Sequence, residues 1–205
     1  MSEFNEPATP EDDLLTYVDQ LDQGRNEFLD ICDAFALQPS EETGEALYSQ
    51  FAKNSTFLHK AVIELAETSS PDECVRSVAT LSVGDDFLRS THMNMLVQNA
   101  FLAPIQGVPE TEKELTERYE LISSNVLAPL VEMGDACAED IREKYEESDG
   151  KVAKFAADIL NDYTEAGASD LDRFMTAIEQ AHERRTTLAK QAAMGLLPDA
   201  LFSLN

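Results

Sequence analysis

The stretch from Leu81 to Ala103, LSVGDDFLRSTHMNMLVQNAFLA, limits the folds open to this chain more than any other. From Met93 onward it carries Met93, Met95, Leu96, Val97, Ala100, Phe101, Leu102 and Ala103. At about 100° per residue these point in every direction around a helix. A helix that is apolar all round has to be wrapped by its neighbours. Asp85, Asp86 and Arg89 interrupt the apolar run, which leaves it too short to span a bilayer. The stretch therefore reads as the buried central helix of an all-α bundle.

The flanking sequence supplies the helices that would wrap it. Residues 1–8 read as a disordered leader. Thr9-Pro10-Glu11-Asp12 then gives a cap, a proline at the first helical position and acids where the helix dipole favours them. The first helix should run to about Leu37, with Gly24 marking a kink or break. Ser40 caps a second, whose inner face is Leu47, Phe51, Leu58, Val62 and Leu65 and whose weak point is Asn54-Ser55. Ser70-Pro71-Asp72-Glu73 is a capping box that opens the central helix, with Gly84 as a candidate irregularity.

Pro104 closes that helix and Pro109 begins a fourth, which Pro129 should kink or split. It continues to Gly150. Val152 to Gly167 reads as a fifth helix and Ser169 to about Gly195 as a sixth. No segment alternates long enough to form a strand. The expected architecture is a bundle of five to seven mostly antiparallel helices. It comprises one domain over residues 9–197, with 198–205 as an apolar C-terminal tail.

Charge is the unusual property. Forty Asp and Glu stand against 15 Lys and Arg, for a net charge of −25. Adaptation to molar salt, a basic partner, or mimicry of nucleic acid could each select for this. The acids occur in every helix from Glu11 to Asp199 instead of clustering, which favours salt adaptation. No basic patch exists to neutralise phosphates, so direct binding to nucleic acid is not expected. Cys32, Cys74 and Cys137 are far apart and form no CxxC pair, as expected of buried thiols in a reducing cytoplasm. The acidic N-terminus has no signal-peptide pattern, so the chain reads as cytoplasmic.

Two constellations could carry chemistry. Glu179 and His182 form an ExxH pair, the element that carboxylate-bridged metal bundles use twice. Only one copy is present, so no metal is assigned, and an exposed ion-pair network with Arg184 and Arg185 is preferred. Asp85, His92 and Asn99 repeat every seven residues beside the column Leu81, Leu88, Met95 and Leu102. That polar column could set helix register or line a pocket with His92 as a base. Seven residues is about 10 Å of rise, too far for Asp85 to bond His92, and register is preferred. Nucleophile elbows and phosphate-cradling loops are missing, and no cofactor is indicated.

The expected function is that of a non-catalytic helical interaction protein of a salt-adapted cytoplasm, such as an accessory subunit, dedicated chaperone or adaptor. Its partner would be another protein or a second copy. Leu197, Leu201, Phe202 and Leu204 in the tail are candidate docking residues. A coat for an apolar granule surface is a related reading. The loop Gln106-Gly107-Val108-Pro109 before an acidic helix resembles helical accessory proteins of polyester granules, in those residues alone. The alternatives are a helical enzyme or ligand-binding bundle with its site near His92, and an acidic nucleic-acid mimic.

Overall fold

The computed structural model describes residues 10–102 and 136–195. All their regular structure is helical. α1 spans Pro10–Leu37, α2 Glu41–Thr68 and α3 Pro71–Leu102. Residues 136–147 are helical and are called α4, and α5 spans Val152–Ala193. The Thr9 cap, the Pro104 stop, the helix expected from Pro109, the Pro129 kink and the C-terminal tail lie outside the described residues.

Local chemistry accounts for the helix starts. The Ser40 hydroxyl accepts from the Thr43 N–H at 3.2 Å, while the Thr43 hydroxyl accepts from the Ser40 N–H at 3.2 Å. That is a capping box with threonine in the usual place of glutamate. At α3 the Ser70 N–H and hydroxyl donate to the Glu73 carboxylate at 3.2 and 2.6 Å. These bonds hold the Glu73 carboxyl below the ordinary range. Between α4 and α5 the chain reverses through Asp149 and Gly150 at φ of 52° and 73°. Two left-handed residues in succession suit aspartate and glycine better than other residue types.

Pair contacts set the directions of packing. Lys60 lies over the Tyr17 ring and Gln50 bonds Gly24, so α2 runs against α1. Gly44 meets Met175 and Phe51 meets Tyr163, so α2 also runs against α5. Asp85 meets Tyr163 and Phe101 meets Arg184, so α3 and α5 run the same way. Phe28, Phe35, Leu47, Leu58, Phe155, Leu171 and Ile178 are fully buried among these helices.

The glycines expected to break helices do the opposite. Val152–Ala193 is one helix of 42 residues, not two divided at Gly167. Gly24, Gly84 and the Asn54-Ser55 pair likewise lie inside continuous helices. A Cβ on Gly167 would stand 2.2 Å from the Phe51 ring, and one on Gly24 would stand 2.2 Å from Asn54 Oδ1. Both glycines mark close helix approach. Packing there offsets the roughly 1 kcal/mol that glycine costs in a helix interior.

The buried stripe of α3 is apolar at its start and polar in its middle. Cys74, Val75, Val78 and Ala79 give way to Asp85 and Arg89 before Met93 and Ala100 resume the apolar pattern. Leu88 is 44% exposed, and Asn94, Gln98 and Asn99 are exposed. Met95, Leu96, Val97 and Phe101 are only half-buried, so among the described residues this part of α3 is not wrapped on every side.

Candidate functional site

Arg89 is the best-buried cation among the described residues, at 2% exposure. Its guanidinium carbon lies 5.0 Å from the Phe51 ring centre and 5.3 Å from that of Tyr163. Those two rings stack on each other at 5.4 Å. One turn back, Asp86 pairs with the Arg89 Nη2. Asp85, at 3% exposure, accepts a hydrogen bond from the Tyr163 hydroxyl. Gly167 leaves the room that this arrangement needs on α5.

The electrostatics follow from the burial. Desolvation first, and then the Asp85 charge, push the Tyr163 hydroxyl far above its ordinary pKa, which keeps it a donor. Burial raises Asp86 to about 6, with Arg89 opposing and Asp85 and Asp170 adding to the rise. Ser82 Oγ, Asp85 Oδ1 and Arg89 Nε and Nη1 are buried without a hydrogen-bond partner. The cluster joins α2, α3 and α5 through ring stacking and charge, and it contains no nucleophile poised beside a base.

The polar column of α3 does not converge. Asp85 faces Tyr163, whereas His92 Nε2 bonds Asp33 Oδ1 of α1 at 2.9 Å and Asn99 is exposed. His92 thus joins two helices through a partner the heptad spacing does not reveal. Burial raises Cys32 strongly and Cys74 to about 11, which leaves both thiols protonated.

Glu179 and His182 lie together in a different place. They line an open cleft of about 860 Å³ where the α1–α2 turn meets α5. His182 Nε2 donates to the Ala36 carbonyl at 2.9 Å. α1 has no basic residue in its last turn, so α5 supplies the group that satisfies this carbonyl. Arg184 lies over the Phe101 ring at 6.0 Å, and no ion pair joins it or Arg185 to Glu179 among the described residues. No three His, Cys, Asp or Glu side chains among the described residues are grouped to hold a metal ion.

The cleft is lined by apolar and by acidic side chains. Leu37, Pro39, Tyr48 and Met175 are the former, and Glu41, Glu45, Glu179 and Glu183 the latter. Leu37 is 81% and Tyr48 43% exposed. Glu41 with Glu45, and Glu179 with Glu183, are two like-charged pairs at four-residue spacing, which destabilise their own helices. Among the described residues no Lys or Arg lines the cleft.

No family model, curated protein or solved structure matches the chain. Function must therefore be argued from the geometry.

The Asp85–Tyr163–Arg89 cluster is not evident in the sequence, because charged residues in an apolar helix read as interruptions. The signal was present as Asp85 and Arg89 one turn apart on α3, with Tyr163 and Gly167 one turn apart on α5. The cleft was half legible through the ExxH spacing. Its other wall, 140 residues earlier in the chain, was not.

Proposed function

We infer that the chain is a non-catalytic helical interaction protein, an accessory subunit, chaperone or adaptor of a salt-adapted cytoplasm. The observation that carries this reading is the far end of α5. Its buried positions run from Phe155 to Ala181 and then stop, yet the helix continues through Ala193. About three turns, or roughly 18 Å, extend past the last buried residue. Among the described residues little of this segment is buried, and in proteins most helical stability comes from packing an apolar or amphipathic face. The open cleft lies at the base of this projection. Three large apolar side chains, Leu37, Tyr48 and Met194, are exposed at this one end of the bundle.

Salt adaptation is supported by exposed carboxylates on every described helix, among them Asp19, Glu42, Asp72, Glu139 and Glu165. No described helix is long and apolar enough to cross a membrane.

Affinity capture from extract of the source organism in 2 M KCl tests the reading. The wild-type chain is expected to retain a protein that the Leu37→Asp, Met194→Asp double variant loses. Both substitutions fall on exposed positions, so the fold should survive them. Retention of the same proteins by both chains, or of none by the wild type, would overturn it.

A further inference from the structure

The cleft and the projecting helix end are complementary, and the complement lies within one chain. Beyond Glu183, α5 carries Arg184, Arg185 and Lys190 with no further acid before Gly195. In a chain of net charge −25 this is a local excess of cations. Arg185 and Lys190 are exposed and in no ion pair among the described residues. Among the described residues the cleft beside them is lined by four carboxylates and by no Lys or Arg.

The helical period places both features on one stripe. Met175, Glu179, His182 and Glu183 line the cleft. Steps of three or four residues from Glu183 continue that face through Thr186, Lys190 and Met194. Read from its N-terminal end, the stripe is apolar, acidic, neutral, basic and apolar. A stripe of this kind is self-complementary about its neutral centre.

We propose that a second copy of the chain docks in this cleft, through antiparallel packing of the two α5 ends around a two-fold axis at Thr186. That symmetry puts Lys190 of each copy against Glu183 of the other, within a turn of Glu179, because the two positions lie four and three residues from the axis. Met194 of each copy reaches the apolar lining near Met175 of the other. One interface then relieves the Glu179–Glu183 pair and covers the helix end on each chain, as isologous contacts do. The two-copy assembly carries twice the net negative charge. Mutual repulsion therefore opposes it at low ionic strength, and molar salt removes that opposition.

This assignment rests on the interaction reading of the α5 end but is tested separately from it. Light scattering after size exclusion of the full chain, in 1 M KCl, should give twice the chain mass. Lys190→Glu should weaken association at least about tenfold by setting acid against acid. Glu183→Lys should do the same by setting cation against cation. The double variant Glu183→Lys, Lys190→Glu should restore the dimer, because both contacts are re-formed with reversed sign. Matching helical circular dichroism in all four proteins shows that the chain itself is intact. A wild-type monomer at every salt concentration, a dimer indifferent to Lys190→Glu, or no rescue in the double variant would overturn the proposal. A monomer that still captured a foreign protein through Leu37 and Met194 would sink the dimer and leave the interaction reading standing.

Discussion

Gly167 of α5 and Arg89 of α3 share one volume: a Cβ on the glycine would stand 2.6 Å from Nη1 of the arginine. It would also meet the Phe51 ring at 2.2 and 2.5 Å. The ring and the buried guanidinium confine each other, so neither has an easy way to yield. Gly167→Ala, which in an exposed helix would stabilise by about 1 kcal/mol, should here destabilise by about 1–3 kcal/mol through overpacking. Urea denaturation reads the sign. At Gly24 the same substitution meets the end of the Asn54 side chain, which can rotate, and should cost less.

Tyr163→Phe removes the one hydrogen bond that reaches Asp85 while keeping the ring that stacks on Phe51. A buried carboxylate then has both oxygens unpartnered, since Oδ1 already is. The expected cost is about 1–3 kcal/mol. Arg89→Ala should cost more, about 3–5 kcal/mol, because it removes a buried side chain that packs against both rings and leaves a cavity there. Negligible losses in both variants, measured by chemical denaturation, would show that the Phe51–Tyr163 stack and not charge holds the cluster.

The helices themselves were legible in the sequence, because caps such as Ser40 and Ser70 and apolar spacing act within a few residues of where they are read. Helix continuity was less so. Gly24, Asn54 and Gly167 look like weak points when each is read alone. They are approach points only because Asn54 faces Gly24, and Phe51 and Arg89 face Gly167, across pairs of helices. The candidate site divides the same way. Glu179 and His182 announce a shared face, but the Ala36 carbonyl and the Glu41–Glu45 wall come from the other end of the chain. His92 likewise gave no hint of Asp33.

His182 is therefore expected to matter more than a surface histidine. His182→Ala leaves the Ala36 carbonyl without its partner at a helix end that has no basic residue of its own. A loss of about 0.5–1.5 kcal/mol is expected, the usual net worth of one hydrogen bond. His182→Gln, whose amide can still donate, should recover part of it. Thermal denaturation of the two variants side by side provides the comparison.

Asp86 should make stability fall as pH rises through the mildly acidic range. Desolvation in the fold pushes its carboxyl up from 3.8 to about 6, although 43% of the side chain is exposed. Between those limits the folded chain holds a proton that the unfolded chain has released. Stability contributed by the neutral form is complete below the unfolded value and is lost as pH rises through the folded one. The melting temperature should therefore decline between pH 4 and pH 6.5, and the decline should be shallower in Asp86→Asn. The other carboxylates are common to both proteins, so the difference between the two curves isolates this group. An identical slope in both would place the titration elsewhere.

Salt dependence tests the acidity as a whole. Several described ion pairs join exposed side chains, such as Arg142 with Asp72 and Lys154 with Asp158, and exposed pairs contribute little. Forty acids against 15 basic residues leave most carboxylates without a cation to face. Repulsion among them is long-ranged at 0.1 M salt, where the screening length is about 10 Å, and falls to about 3 Å at 1 M. The melting temperature should therefore rise as KCl increases from 0.1 to 2 M. Choline chloride, which screens equally but interacts differently with carboxylates, should give a similar rise if screening is the cause. Specific hydration of carboxylates by potassium would instead make KCl the more effective salt. A melting temperature indifferent to both would remove salt adaptation as the reason for the charge and leave a basic partner to explain it.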